Sequence, residues 1–311
     1  MSDAAPETEL ALWQARLRRR LEHPEDGLGL VELLSFWRHA VVEVGCPLPR
    51  GLEPGPWLPG AIRGALGQAL RRRTGLAPER ESRRSAQARV LVFETLGFVT
   101  KRRQAPKPVV LQIDLAGRRL IVRLVLFGFA CGWVEIFRRA LIEALDGGVR
   151  LKRDGGIRAR WPVAAGRWWQ SERVAAPPPG IDRVRIELLT PLCLSAGRVL
   201  RTDPAEIVMA ALERVSGLAR FQDARLDEDW SGWRDLSKSL TFDRVDLGVA
   251  SVDHRSSRQP GNEHRIDGLV GGFDVIRPPD RLLPLLALAE SAHAGARGAH
   301  GFGRLRLVAY P

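Results

Sequence analysis

The chain has 311 residues, 45% of them apolar, enough for one large or two medium domains with a true core. Its net charge is +12, its sequence pI about 10.9, and only four of its 48 basic residues are lysine. No stretch approaches eighteen uncharged apolar residues, no CxxC pair occurs among the three cysteines, and no carboxylate cluster has metal-ligand spacing. These features exclude a membrane span, a zinc ribbon and a disulfide framework. They lead us to expect a cytoplasmic protein with no cofactor. A GC-rich coding sequence would also favour arginine, but the physical consequence is the same. Arginine forks onto phosphate and stacks on bases, so a polyanion, foremost nucleic acid, is the expected partner.

Residues 1–35 run from acidic to basic without an apolar signal core and read as a helical extension. Trp37 to Leu48 alternates like a strand. A helix is expected from Pro59 to Arg73, then strands at Pro108 to Leu115 and Arg119 to Phe129. A second helix spans Trp133 to Leu145, and Val149 to Arg153 is expected to close this half as a short strand. The run Ala175 to Gly180, with three consecutive prolines, reads as a linker. Beyond it come a strand at Asp182 to Leu194, a helix at Pro204 to Phe221, strands at Arg244 to Asp253 and His264 to Val275, a helix at Asp280 to Ala292, and a last strand from Arg304.

Both halves therefore follow the order β-α-β-β-α-β, with Cys46 and Cys193 147 positions apart and the second helices 148 apart, counted from Trp133 and Arg281. The fold class read from this is α+β: tandem ferredoxin-like βαββαβ folds with an arginine-rich helical insertion in the first. The expected division is an extension over 1–35, a first fold over 36–174 carrying the insertion at 74–106, a linker over 175–181, and a second fold over 182–311.

Three stretches carry a resemblance. The first is Arg63-Gly64-Ala65-Leu66-Gly67, at the opening of the first helix. The second is Ser256-Ser257-Arg258-Gln259 followed by Gly268-Leu269-Val270-Gly271. The third is the loop His293-Ala294-Gly295, five residues, Gly301-Phe302-Gly303, in which His293 replaces a glycine of the pattern. In this order they resemble the RAMP superfamily of CRISPR-associated proteins, and within it the endoribonucleases that process precursor CRISPR RNA. The resemblance covers roughly residues 36–311 and is nearest to enzymes of plasmid-borne, type IV-like systems that bear an arginine-rich finger. It implies metal-independent cleavage within the repeat and retention of the repeat hairpin. The implied partners are the CRISPR RNA and other effector-complex subunits, with no membrane. The alternative it leaves open is a RAMP subunit that binds or caps guide RNA without cutting.

Candidate residues follow. Glycines at 295, 298, 301 and 303 permit positive φ and close backbone approach, so the terminal loop is expected to cradle phosphates with its amides, helped by Arg297 and Arg304. The alternative is a tight connection between helix and edge strand. The region from Arg71 to Lys107 concentrates Arg71, Arg72, Arg73, Arg80, Arg83, Arg84, Arg102 and Arg103, and the insertion within it is expected to project as an RNA-binding helical finger. Arg255 and Arg258 flank the second motif. For catalysis the family often uses a histidine near the first helix, but residues 45–107 contain none. The catalytic candidates are therefore Arg38, Arg50 and Arg63, able to orient a 2′-hydroxyl and stabilise charge, and His300 as the titratable group.

Overall fold

The computed structural model describes residues 6–48, 53–76, 79–100, 103–150, 158–163, 166–171, 174–194, 202–255 and 263–310. In chain order the elements are α1 (Pro6–Glu22), β1 (Asp26–Leu28), α2 (Leu30–Phe36), β2 (His39–Pro47), α3 (Leu58–Leu76), α4 (Glu79–Phe93), β3 (Phe98–Thr100), β4 (Arg103–Gln104), β5 (Val109–Ala116), β6 (Arg119–Phe127) and α5 (Val134–Asp146). Then follow β7 (Val149–Arg150), β8 (Arg158–Ala159), β9 (Gly166–Ser171), β10 (Arg183–Leu192), α6 (Pro204–Ala219), β11 (Ala224–Leu226), α7 (Trp230–Ser239), β12 (Thr241–Arg255), β13 (Glu263–Ile276), α8 (Leu282–Ala292) and β14 (Leu305–Tyr310).

Two four-stranded antiparallel sheets form the frame, ordered β5-β6-β2-β9 and β12-β13-β10-β14. Each is the 2-3-1-4 order of a ferredoxin-like βαββαβ unit, so the molecule is a tandem α+β fold. Strand alternation sets the faces. In β2, Val42, Val44 and Cys46 are buried toward α3 and α5. In β10, Val184 and Ile186 are buried toward α6 and α8. The opposite face of each sheet carries no helix of its own unit.

The helices arise where the apolar period is 3.6. Ile62, Leu66, Ala69 and Leu70 bury one stripe of α3, and Phe137, Ala140, Leu141 and Ala144 one of α5. The Asp203 carboxylate accepts from Ala205 N (2.9 Å) and Pro204 takes the first turn of α6. Helices α6 and α8 are buried nearly all round.

Two expectations are corrected here. Val149–Arg150 does not close the first sheet; it pairs with Arg158–Ala159 in a small outer hairpin. The closing strand is β9, antiparallel to β2, with Trp169 opposite Val41. It lay hidden because GRWWQS, an edge strand, is largely exposed and has no apolar alternation. The closing strands therefore begin 139 positions apart, at Gly166 and Leu305. Trp168 and Trp169 are exposed on this edge.

The insertion is helical but does not project. Helix α4 buries Ala88, Val90, Leu91 and Val92 and lies along α3. Arginines on and around it are held by acceptors both local and distant in sequence. Arg83 reaches Glu9 (2.7 Å), Arg73 reaches Glu81 (2.6 Å) and Glu143 (2.9 Å), and Arg84 donates to the Gly132 carbonyl and lies over the Trp133 ring. Arg72 pairs with Glu143 and Arg103 with Glu213, while Arg71 is exposed. A local charge count cannot reveal carboxylates that arrive from elsewhere in the chain.

The N-terminal extension ties the two folds together. Strand β1 pairs in parallel with β11. Arg20 pairs with Asp223 (2.5 Å), Arg220 donates to Leu21 O (2.5 Å), and Trp37 Nε1 donates to Ser291 Oγ (3.0 Å). On the first fold, Gln14 donates to Glu94 (2.7 Å).

Candidate nucleic-acid interface

The helix-free faces of the two sheets carry arginine at alternate strand positions. On the first sheet these are Arg119 and Arg123 on β6 and Arg167 on β9. On the second they are Arg183 and Arg185 on β10 and Arg306 on β14, with Arg304 just before that strand. Carboxylates on the same face hold them upright. Glu43 receives Arg123 (2.7 Å) and Arg167 (2.5 Å), and these bonds hold its carboxyl below the usual range against the opposing effect of burial. Glu187 receives Arg306 (2.5 Å). Asp274, 1% exposed, gathers Arg185 (3.1 Å), Arg183 (3.5 Å) and Arg244 (3.9 Å).

The faces are joined. Asp114 on β5 accepts from Arg123 (2.5 Å) and from Arg304 (2.6 Å) of the second fold. An unbroken line Arg167–Glu43–Arg123–Asp114–Arg304 thus crosses the first sheet and enters the second. Arg167, Arg244 and Arg306 are 74%, 68% and 58% exposed and have room for a second acceptor.

The glycine-rich loop is the mechanical joint behind this line. A Cβ on Gly301 (φ 81°) would lie 2.6 Å from Pro59 Cβ, and one on Gly303 (φ 73°) 1.9 Å from Ala294 O. Only glycine fits either place. Gly298 is buried against Val110 and Arg214. The amides expected to cradle phosphate are mostly committed inward. Those of Gly295, Ala296, Gly301 and Gly303 donate to Ala210, Cys193, Gly298 and Pro191 carbonyls, and that of Arg304 to Thr190 Oγ1. At Gly301 and Gly303 the space a side chain would take is filled by Pro59 and by the Ala294 backbone. Arg297 is exposed and His300 half-buried on the short turn Gly298–His300 against β5.

Beneath the loop, Arg214 is buried and donates to Ala292 O (3.2 Å), at the C-terminus of α8, and to Lys107 O (3.2 Å) of the first fold. Burial pulls its pKa to about 10, so it remains cationic at neutral pH.

Residues 186–305 match the family model described as CRISPR-associated endoribonuclease Cas6. Among solved structures the chain is similar to a Cas6 product complex (TM-score 0.51, 18% identity, 87% of this chain and 99% of that one). It is also similar to a Cas6 substrate-mimic complex (0.50, 17%, 87% and 99%) and to Thermus thermophilus Cas6 (0.51, 14%, 88% and 98%). The chain shares the fold of these Cas6 structures. No curated protein sequence matches it.

In this frame the three catalytic candidates among the described residues, Arg38, Arg63 and His300, do not form one cluster. Arg63 is clamped between helices, its Nη2 donating to Val92 O (3.1 Å) and its guanidinium 4.3 Å over the Phe93 ring. Arg38 is exposed and lines a cleft with Asp26, Phe36 and Gln222, where the extension meets the second fold. His300 comes beside the first turn of α3 through the Gly301–Pro59 contact. Arg50, Arg102 and Arg258 lie outside the described residues, and Arg80 and Arg255 are described for their backbones alone.

Lys107, the last basic residue of the Arg71–Lys107 region, is a titratable group that was not among the catalytic candidates. Burial lowers its pKa to about 8, with Arg63 adding to the effect and Glu94 opposing it. Its isolated position in an arginine-rich chain was the available signal. For the open-face arginines the signal was the alternation in DRVRIELL and GRLRLV, basic outward and apolar inward.

The three cysteines are free, and burial pushes each thiol up to about 11. Among the described residues no group of three His, Cys, Asp or Glu is placed to hold a metal, and no helix is long and apolar enough to cross a membrane.

Proposed function

We propose that this Cas6-like chain is an endoribonuclease that cleaves CRISPR repeat RNA without a metal and keeps the hairpin product within an effector complex. The observation that carries this reading is the continuous arginine face across both sheets, joined at Asp114–Arg304 beside the glycine loop. Phosphates are the natural second acceptors for guanidinium groups already oriented by carboxylates. In the reaction the ribose 2′-hydroxyl attacks its own phosphorus, the 5′-oxygen leaves with a proton, and a 2′,3′-cyclic phosphate remains. Arg297 and Arg304, at the joint, would stabilise the negative phosphorane. His300 on the loop, and Lys107 under the influence of Arg63 and Glu94, are the proposed proton-exchanging groups.

A second reading, a guide-RNA-binding subunit that does not cut, draws support from the clamped Arg63 and the absence of histidine over 45–107. The deciding experiment incubates purified protein with a labelled stem-loop RNA from the host's own repeat in excess EDTA. We expect one cut with a cyclic-phosphate end, abolished when the 2′-hydroxyl at that position is replaced by hydrogen. His300→Ala and Lys107→Met should each slow it, roughly a hundredfold for whichever moves the proton. Tight binding without a cut would establish the second reading.

A further inference from the structure

The closing edge strands of the two folds present the same unusual pair of groups on the open face. On β9, Arg167 bonds Glu43 of the neighbouring central strand, and two residues on Trp169 stands 38% exposed with the Arg167 guanidinium 5.3 Å over its ring. On β14, Arg306 bonds Glu187 of its central strand, and four residues on Tyr310 stands 39% exposed with the Arg183 guanidinium 5.0 Å over its ring. Register places both aromatics on the arginine-bearing faces, Trp169 opposite Val41 and Tyr310 opposite Arg183.

One exposed aromatic on an edge strand needs no explanation. Here the arrangement recurs at corresponding strands of both repeats, each time beside an arginine fixed by a carboxylate. An aromatic ring backed by a cation and flanked by phosphate-binding guanidinium groups suits an unpaired nucleobase, whose π-face is free. Bases inside an A-form stem are stacked on one another and out of reach.

We infer that Trp169 and Tyr310 are stacking platforms for unpaired bases of single-stranded RNA flanking the repeat stem, one platform on each fold. This rests on the RNA reading above and adds a site for the flanks that the joint and its loop do not provide. Neighbouring arginines take the phosphates between platforms, so the contacts are tolerant of sequence.

The test measures equilibrium binding of two RNAs, a stem-loop alone and the same stem-loop with short single-stranded flanks. Wild type should bind the flanked RNA more tightly. Trp169→Ala and Tyr310→Ala should each weaken flanked-RNA binding roughly fivefold to a hundredfold and leave the bare stem-loop unchanged. Trp169→Phe and Tyr310→Phe, which keep a ring, should retain most of the gain, and tryptophan quenching by flanked RNA should diminish in Trp169→Phe. Flanked-RNA affinity unchanged in the double alanine variant would overturn the inference and leave RNA binding intact. Equal losses on both RNAs would also overturn it. Failure of wild type to bind either RNA would remove the RNA reading and this inference together.

Discussion

His293 is a buried imidazole in a backbone conformation that suits glycine, φ 63° and ψ 168°. Its Nδ1 lies 3.0 Å from Phe302 O and its Nε2 3.3 Å from the Gln112 amide, so a neutral ring protonated on Nδ1 satisfies both. It thereby binds the end of α8 in the second fold to β5 in the first. A proton on Nε2 would face the Gln112 amide donor in a dry site near Arg214 and Arg304. Burial, the largest influence, pushes the pKa down to about 3. Between about pH 6.5 and that value the unfolded chain binds a proton that the folded chain refuses, so stability falls as pH drops through this window. Urea midpoints measured from about pH 7 to pH 5 should decline in wild type and flatten in His293→Gln, which has no titrating group. Equal slopes would place the acid sensitivity elsewhere.

At the scale of elements, the terminal loop makes a sharp prediction. Gly303→Ala drives a methyl into the Ala294 carbonyl at a position with φ 73° and should cost about 2 kcal/mol or more. Its thermal midpoint should drop by several degrees, whereas Gly117→Ala, also at positive φ but in open space, should cost less. The helices and most strands of both repeats are legible in the sequence because each buries one regular stripe, as Ile62, Leu66 and Ala69 do in α3. Strand β9 was not legible, because an exposed edge strand has no apolar face to announce it. The arginines around α3 and α4 stood out, but their role did not. Glu9, Glu143 and Glu213 come from distant segments, and only the fold shows that they occupy those guanidinium groups. The open-face arginines follow from the quieter alternation of β6, β10 and β14, basic outward and apolar inward.

At the scale of the whole molecule, the proposed RNA binding by a chain of net charge +12 is expected to depend on salt. Each phosphate contact on a single strand contributes about 0.7 to the slope of log affinity against log salt. Arg167→Gln and Arg306→Gln should each lower that slope by roughly this amount, while Arg83→Gln, held by Glu9 and Glu79, should leave it unchanged. A change for Arg83 and none for the other two would move the RNA to the helical side. The extension has a consequence in time. Asp26 pairs with Ala224, so when the first half emerges from the ribosome β1 has no partner, and it waits for nearly two hundred further residues of synthesis. Until then Leu21 and Leu30, buried in the finished protein, are apolar surface open to chaperones or to another nascent chain. Once β11 arrives the strand pair closes, and the two repeats then separate only as β1 and β11 unzip.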